Sequence, residues 1–144
     1  VLIQRKKLTG ISFVEMVIAI VILGIIICIG VPSYLSYMLK SRRNEAKVAL
    51  LDLATRMERY YSENNNSYAS ASITGNLGLS SATTTNGNYT LSIPTLSATT
   101  YTLQATPAAG SAQANDTECG NFTLTQAGVR GISGTGTIAD CWGS

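Results

Sequence analysis

Glu15 is the one charged residue between Lys7 and Lys40, and it stands near the start of the run GISFVEMVIAIVILG. A carboxylate in so apolar a stretch costs about 2.5–3.5 kcal/mol at a bilayer centre on insertion scales, and less near the interface. Such a group is retained when it meets a partner, and a cation is the chemistry that neutralises it. Catalysis is a poor alternative. The chain has no histidine, and its residues assemble neither a nucleophile–base constellation nor a metal cluster, so no enzyme activity, metal or cofactor is expected. Gly131, Gly134 and Gly136 suggest a phosphate loop, but no helix-forming segment follows them and turn glycines explain them better. Of three cysteines, Cys28 lies inside the apolar run, while Cys119 and Cys141 would enclose about twenty residues near the end. Oxidised, that bridge stabilises by roughly 3 kcal/mol in the chain-entropy view; two free buried thiols are the alternative.

The elements that must position these groups follow from pattern. Met16–Leu39 holds 24 residues without a charge, and about 20 span a hydrocarbon core. Arg5, Lys6 and Lys7 precede it and a sparsely charged segment follows. That asymmetry predicts the N-terminus inside and the rest outside, where Cys119 and Cys141 oxidise readily. Gly24, Gly30 and Pro32 interrupt the run, so a kink or local unwinding is expected there. From Lys40 to Asn64 the pattern turns amphipathic, with Ala46, Leu50, Leu53, Met57 and Tyr60 at three- and four-residue spacing. A single helix from about Ile11 to Glu63 would be roughly 80 Å long. That exceeds a 144-residue globule, so half of it must find partners elsewhere.

Residues 65–88 read as a low-complexity connection. Period-2 alternation then appears in YTLSI, YTLQA and FTLTQ, with a shorter fourth piece around Val129–Ile132. Pro94, Pro107, Gly110, Gly120 and Gly128 supply turns between them. The expected fold is α+β: a long N-terminal helix, half membrane and half amphipathic, packed on an antiparallel sheet of three or four strands. Beyond Asn65 the only charges are Asp116, Glu118, Arg130 and Asp140, and Arg42, Arg43 and Lys47 lie at the membrane end of the amphipathic half. Packing or lipid headgroups are their expected partners, and a basic head suited to nucleic acid is absent.

The arrangement KKLTG–ISFVE followed by a long apolar helix resembles the class III signal of type IV pilins and type II pseudopilins. The resemblance implies cleavage between Gly10 and Ile11 by a prepilin peptidase, N-methylation of Ile11, and retention of the helix in the mature protein. The family's assembly glutamate falls on Glu15, and its helix-interrupting glycine and proline on Gly24 and Pro32. In the family the glutamate pairs with the new N-terminal amine of a neighbouring subunit, which would answer the cost of the carboxylate. The first mature residue is usually phenylalanine; here it is Ile11, with Phe13 two places on.

The helix VPSYLSYMLKSRRNEAKVALLDLATRMERYYSENNNSYA and the tail CGNFTLTQAGVRG…GTIADCW are similar to PilE-type minor pilins, relatives of ComP-type pilins. The implied layout is a leader at 1–10, a membrane or fibre-core half-helix at 11–39, and an amphipathic half at 40–64. A connecting αβ-loop at 65–88 and a β head with a cysteine-bounded loop at 89–144 complete it. The implied role is a structural pilus subunit for adhesion, twitching or DNA uptake. It passes from the bacterial inner membrane to the extracellular fibre, with other pilins, the prepilin peptidase and the assembly platform as partners. A DNA-binding ComP-like receptor, a major pilin and a type II secretion pseudopilin are the alternatives.

Overall fold

The computed structural model describes residues 10–143. Arg5, Lys6 and Lys7, with the other residues ahead of Gly10 that were expected to form a leader, lie outside them. The elements run α1 (Phe13–Glu63), β1 (Tyr89–Leu96), β2 (Tyr101–Pro107), a 3-10 turn (Ala112–Asn115), β3 (Phe122–Thr125), β4 (Arg130–Ile132) and α2 (Ile138–Trp142). The chain divides into two units, Val1–Tyr37 and Met38–Ser144.

In the first unit α1 is unbroken. The local unwinding expected between Gly24 and Pro32 does not occur. A proline deletes one rung of the ladder, the rungs on either side persist, and the Ser33 hydroxyl donates to the Ile29 carbonyl at 3.4 Å. The large apolar side chains of this unit are exposed, from Phe13 at 81% to Val17 at 44%.

The second unit has its own core. Ala46, Leu50, Leu53 and Met57 are fully buried and Tyr60 nearly so, as their spacing requires for one helix face. They meet Leu91, Leu103, Ala105, Phe122 and Leu124 from the sheet, whose alternate residues point to that side. Helix α1 ends where Asn65 and Asn66 adopt left-handed φ of 50° and 56°, a conformation asparagine tolerates. The Asn64 side-chain amide donates to the Tyr60 carbonyl.

The sheet is antiparallel, in the order β1-β2-β3-β4. Pro94, expected in a turn, lies inside β1 at the register shift between Ser92 and Thr95. Proline has no N–H to give a ladder and is accommodated at a bulge on an edge strand. The 65–88 connection is ordered by its side chains: Tyr68, Ala71 and Leu77 enter the core, and Arg56 donates to the Leu77 carbonyl at 3.0 Å.

Candidate functional site

In the first unit, Gly10 and Ile11 stand just ahead of α1 and are exposed, Ile11 at 80%. Glu15 lies exposed in the helix's first turn, where a carboxylate is favoured by unpaired backbone N–H groups. Gly24 and Pro32 sit within the helix. A methyl built at Gly24 would meet nothing within 4 Å, so no contact inside the chain demands glycine there. The helix contains a window of mean hydropathy 3.0, none of it buried. Surface of that character is stable only against lipid or other apolar helices.

In the second unit the site is a buried ion pair. Arg43, 4% exposed, donates from Nε to Asp116 Oδ2 at 2.7 Å and from a terminal nitrogen to Asp116 Oδ1 at 2.8 Å. The same guanidinium reaches Glu118 at 2.7 Å. Asp116 also accepts from Gln113 Nε2 at 2.7 Å and from the Cys119 backbone N–H at 3.2 Å. Hydrogen bonding to Asp116 raises the Arg43 guanidinium above its ordinary value, burial notwithstanding. Burial alone would push Asp116 up, but the bonds from Arg43 and the Cys119 amide hold its carboxyl below the usual range. Asp116, Glu118 and Cys119 lie close enough to suggest a metal cluster. The Cys119 sulfur is in a disulfide and the Asp116 oxygens are filled, so those donors are committed to structure.

Cys119 and Cys141 form the disulfide, with Cα atoms 5.7 Å apart. Inside the enclosed segment the chain doubles back on itself: the Gly134 and Gly136 amides donate to the Cys119 and Glu118 carbonyls. A methyl at Gly134 would collide with the Glu118 carbonyl. This glycine therefore serves close approach of two backbones rather than the turn its sequence suggested. A helix does follow, against expectation: α2 is five residues long, its N-terminus capped by Thr137. It carries Trp142 onto Phe122, ring centroids 5.6 Å apart, with the indole N–H donating to the Gly131 carbonyl at 3.0 Å. Arg130 lies 5.3 Å over the same ring, and Lys47 donates to the Trp142 carbonyl.

The basic residues read together as a membrane-proximal group thus part company. Arg43 is spent on Asp116 and Glu118, and Lys47 turns to the C-terminal helix. Sequence reasoning missed the Arg43–Asp116 pair because 73 residues separate the partners. The one signal available was an arginine at Ala46 minus three, on the apolar face of the helix.

A family described as type IV minor pilin ComP, DNA uptake sequence receptor, matches residues 32–123. The chain belongs to this family. Among solved structures, this minor pilin is similar to the non-core minor pilin PilV of Neisseria meningitidis, at 25% identity and a TM-score of 0.56. That likeness covers 71% of this chain and 93% of PilV. A type IV pilin from Shewanella oneidensis aligns at 29% identity and a TM-score of 0.45, over 64% of this chain and 89% of that one. No curated protein matches. The minor pilin's role is that of a pilus subunit, built on the fold its sequence implied: a long helix on a four-stranded antiparallel sheet.

Proposed function

We propose that the pilin is made as a membrane precursor, cut between Gly10 and Ile11 by a prepilin peptidase, and methylated at Ile11. It then waits in the bacterial inner membrane until an assembly platform moves α1 from lipid into the core of an extracellular fibre. The observation that carries this reading is the first part of α1: it holds a window of mean hydropathy 3.0, none of it buried, and Glu15 is its one charge ahead of Lys40. Apolar contacts with neighbouring helices replace lipid, and the Ile11 amine of a neighbour meets Glu15. Unpaired, either charge is costly in an apolar core, so one stagger of subunits neutralises both. Gly24 allows a neighbouring helix to approach closely.

The family's description as a DNA uptake sequence receptor does not carry over to this chain on charge. Beyond Arg59 the sequence offers Arg130 against Glu63, Asp116, Glu118 and Asp140, whereas duplex binding neutralises phosphates with several cations. Adhesion or twitching suits such a head better.

The test is mass spectrometry of sheared filaments from cells carrying the native chain, Glu15→Ala, or Gly10 replaced by a bulky residue. The native protein should appear starting at methylated Ile11. Glu15→Ala should be processed and stay in the membrane, and the Gly10 variant should remain uncut. Normal incorporation of Glu15→Ala would defeat the pairing argument.

A further inference from the structure

The sequence contains a single Asn–Gly step, Asn86–Gly87, in an exposed turn between the loop and β1. That step is the most prone in a protein to lose its side-chain amide, because glycine puts no side chain in the way of its own nitrogen. The turn is held by one carboxylate. Glu45 on α1 accepts the Asn86 backbone N–H at 2.9 Å and the Asn88 side-chain amide at 2.6 Å. Burial alone would push the Glu45 carboxyl up, yet bonds from Thr84, Asn88 and Asn86 bring it below the usual carboxylate range. The turn is closed from within as well: the Gly87 N–H donates to the Thr84 carbonyl at 2.8 Å, and Gly87 sits at a φ of 73°. Thr84 and Leu91 tie the segment to the sheet edge through the Tyr89 and Ala82 carbonyls.

We propose that Asn86–Gly87 is a deamidation site guarded by Glu45, and that its conversion is a one-way release of the 82–88 turn from α1. The Gly87 nitrogen attacks the Asn86 side-chain carbonyl carbon. A C–N bond forms, the bond to the side-chain nitrogen breaks, and the Gly87 amide proton leaves with that nitrogen as ammonia. Water then opens one of the two C–N bonds of the cyclic imide, leaving an aspartyl or isoaspartyl linkage. Water enters, ammonia departs, and nothing is oxidised or reduced.

While docked, the turn resists this reaction, since the Gly87 N–H is occupied by Thr84 and Glu45 holds residue 86. After conversion, a new carboxylate stands on the residue whose backbone N–H Glu45 accepts, and like charges so close oppose redocking. The consequence is a changed outer face. Thr83, Thr84, Thr85 and Asn86 form one wall of an open groove of about 880 Å³ whose other wall is Glu45, Val48, Asp52 and Arg56 of α1. Its wall would gain a negative charge and lose its anchor. This inference is independent of the pilus role.

The experiment follows amide-to-acid conversion at position 86 by peptide mapping of the intact detergent-solubilised chain, at fixed pH and temperature. Folded native protein should convert at least about tenfold more slowly than the same chain in urea, since reaction requires local opening. Glu45→Ala should move the folded rate towards the urea rate. If that variant unfolds globally, Asn88→Ala, which removes one donor and leaves Glu45, should accelerate conversion while thermal unfolding stays cooperative. In Asn86→Asp, the amides of Thr84 and Leu91 should exchange hydrogen faster than in the native protein. Equal rates in the folded chain and in urea, or native rates in both the Glu45 and Asn88 variants, would overturn the guard. Unchanged exchange in Asn86→Asp would overturn the release.

Discussion

Arg43 and Asp116 show how one pair decides the placement of a distant segment. Desolvating a guanidinium and a carboxylate costs several kcal/mol each, and only near-complete bonding offsets it. Here Asp116 accepts four bonds, two of them from Arg43. Arg43→Met should therefore destabilise the protein by about 3–5 kcal/mol, because it leaves a buried unpaired carboxylate. The double variant Arg43→Met/Asp116→Leu should recover only part of that loss, as read by urea denaturation in detergent, because Gln113 Nε2 and the Cys119 N–H lose their acceptor. The same pair contributes to the acid limit, alongside Glu45. Asp116 titrates below its unfolded value in the folded state. Its contribution is thus complete above about pH 4 and is lost as pH falls further, through the folded pKa. Thermal melts across acid pH should show this decline, and the double variant should show a shallower one.

At the scale of elements, α1 belongs to two environments. Its second half is explained by the chain itself, since Leu50, Leu53 and Met57 are fully buried against the sheet. Its first half is not. Gly24 makes the contrast testable, because no atom of the chain crowds it and glycine in a helix costs about 1 kcal/mol relative to alanine. Gly24→Ala should leave the monomer's helicity by circular dichroism unchanged or slightly raised. A drop in its incorporation into filaments would then be an intermolecular effect, and unimpaired incorporation would remove Gly24 from the packing surface. The short α2 is tied differently: its last two residues are buried, one by the disulfide and one by Phe122. The disulfide adds about 3 kcal/mol on the chain-entropy view.

For the whole molecule, charge separates the readings of its outward role. Net charge is +2, and the cations cluster before Asn64. Of these, Arg43 is neutralised within the second unit and Arg56 pairs with Asp52 at 2.8 Å. A gel-shift titration with duplex DNA at physiological salt should therefore show no binding beyond a weak, sequence-independent association with a shallow salt slope. A tight, sequence-selective complex would reverse the assignment and direct attention to Arg130 and Lys47 beside Trp142.

Periodicity made much of this protein legible in advance. Hydrophobic spacing marked the buried face of α1, and alternation marked β1, β2 and β3, with β4 legible only as a short further piece. The sequences of the second half-helix and the tail resembled minor pilins, the family that matches residues 32–123. These are local signals, set by residues within one or two turns of each other. Tertiary structure alone decided the rest. It paired Arg43 with Asp116, brought Tyr68 and Leu77 of a polar loop into the core, placed Pro94 in an edge strand, and set Gly134 against the Glu118 backbone. Each depends on partners far apart in the chain. A buried charge, a bulge or a missing side chain is stable only where the complementary group arrives from elsewhere, and no local pattern encodes that arrival.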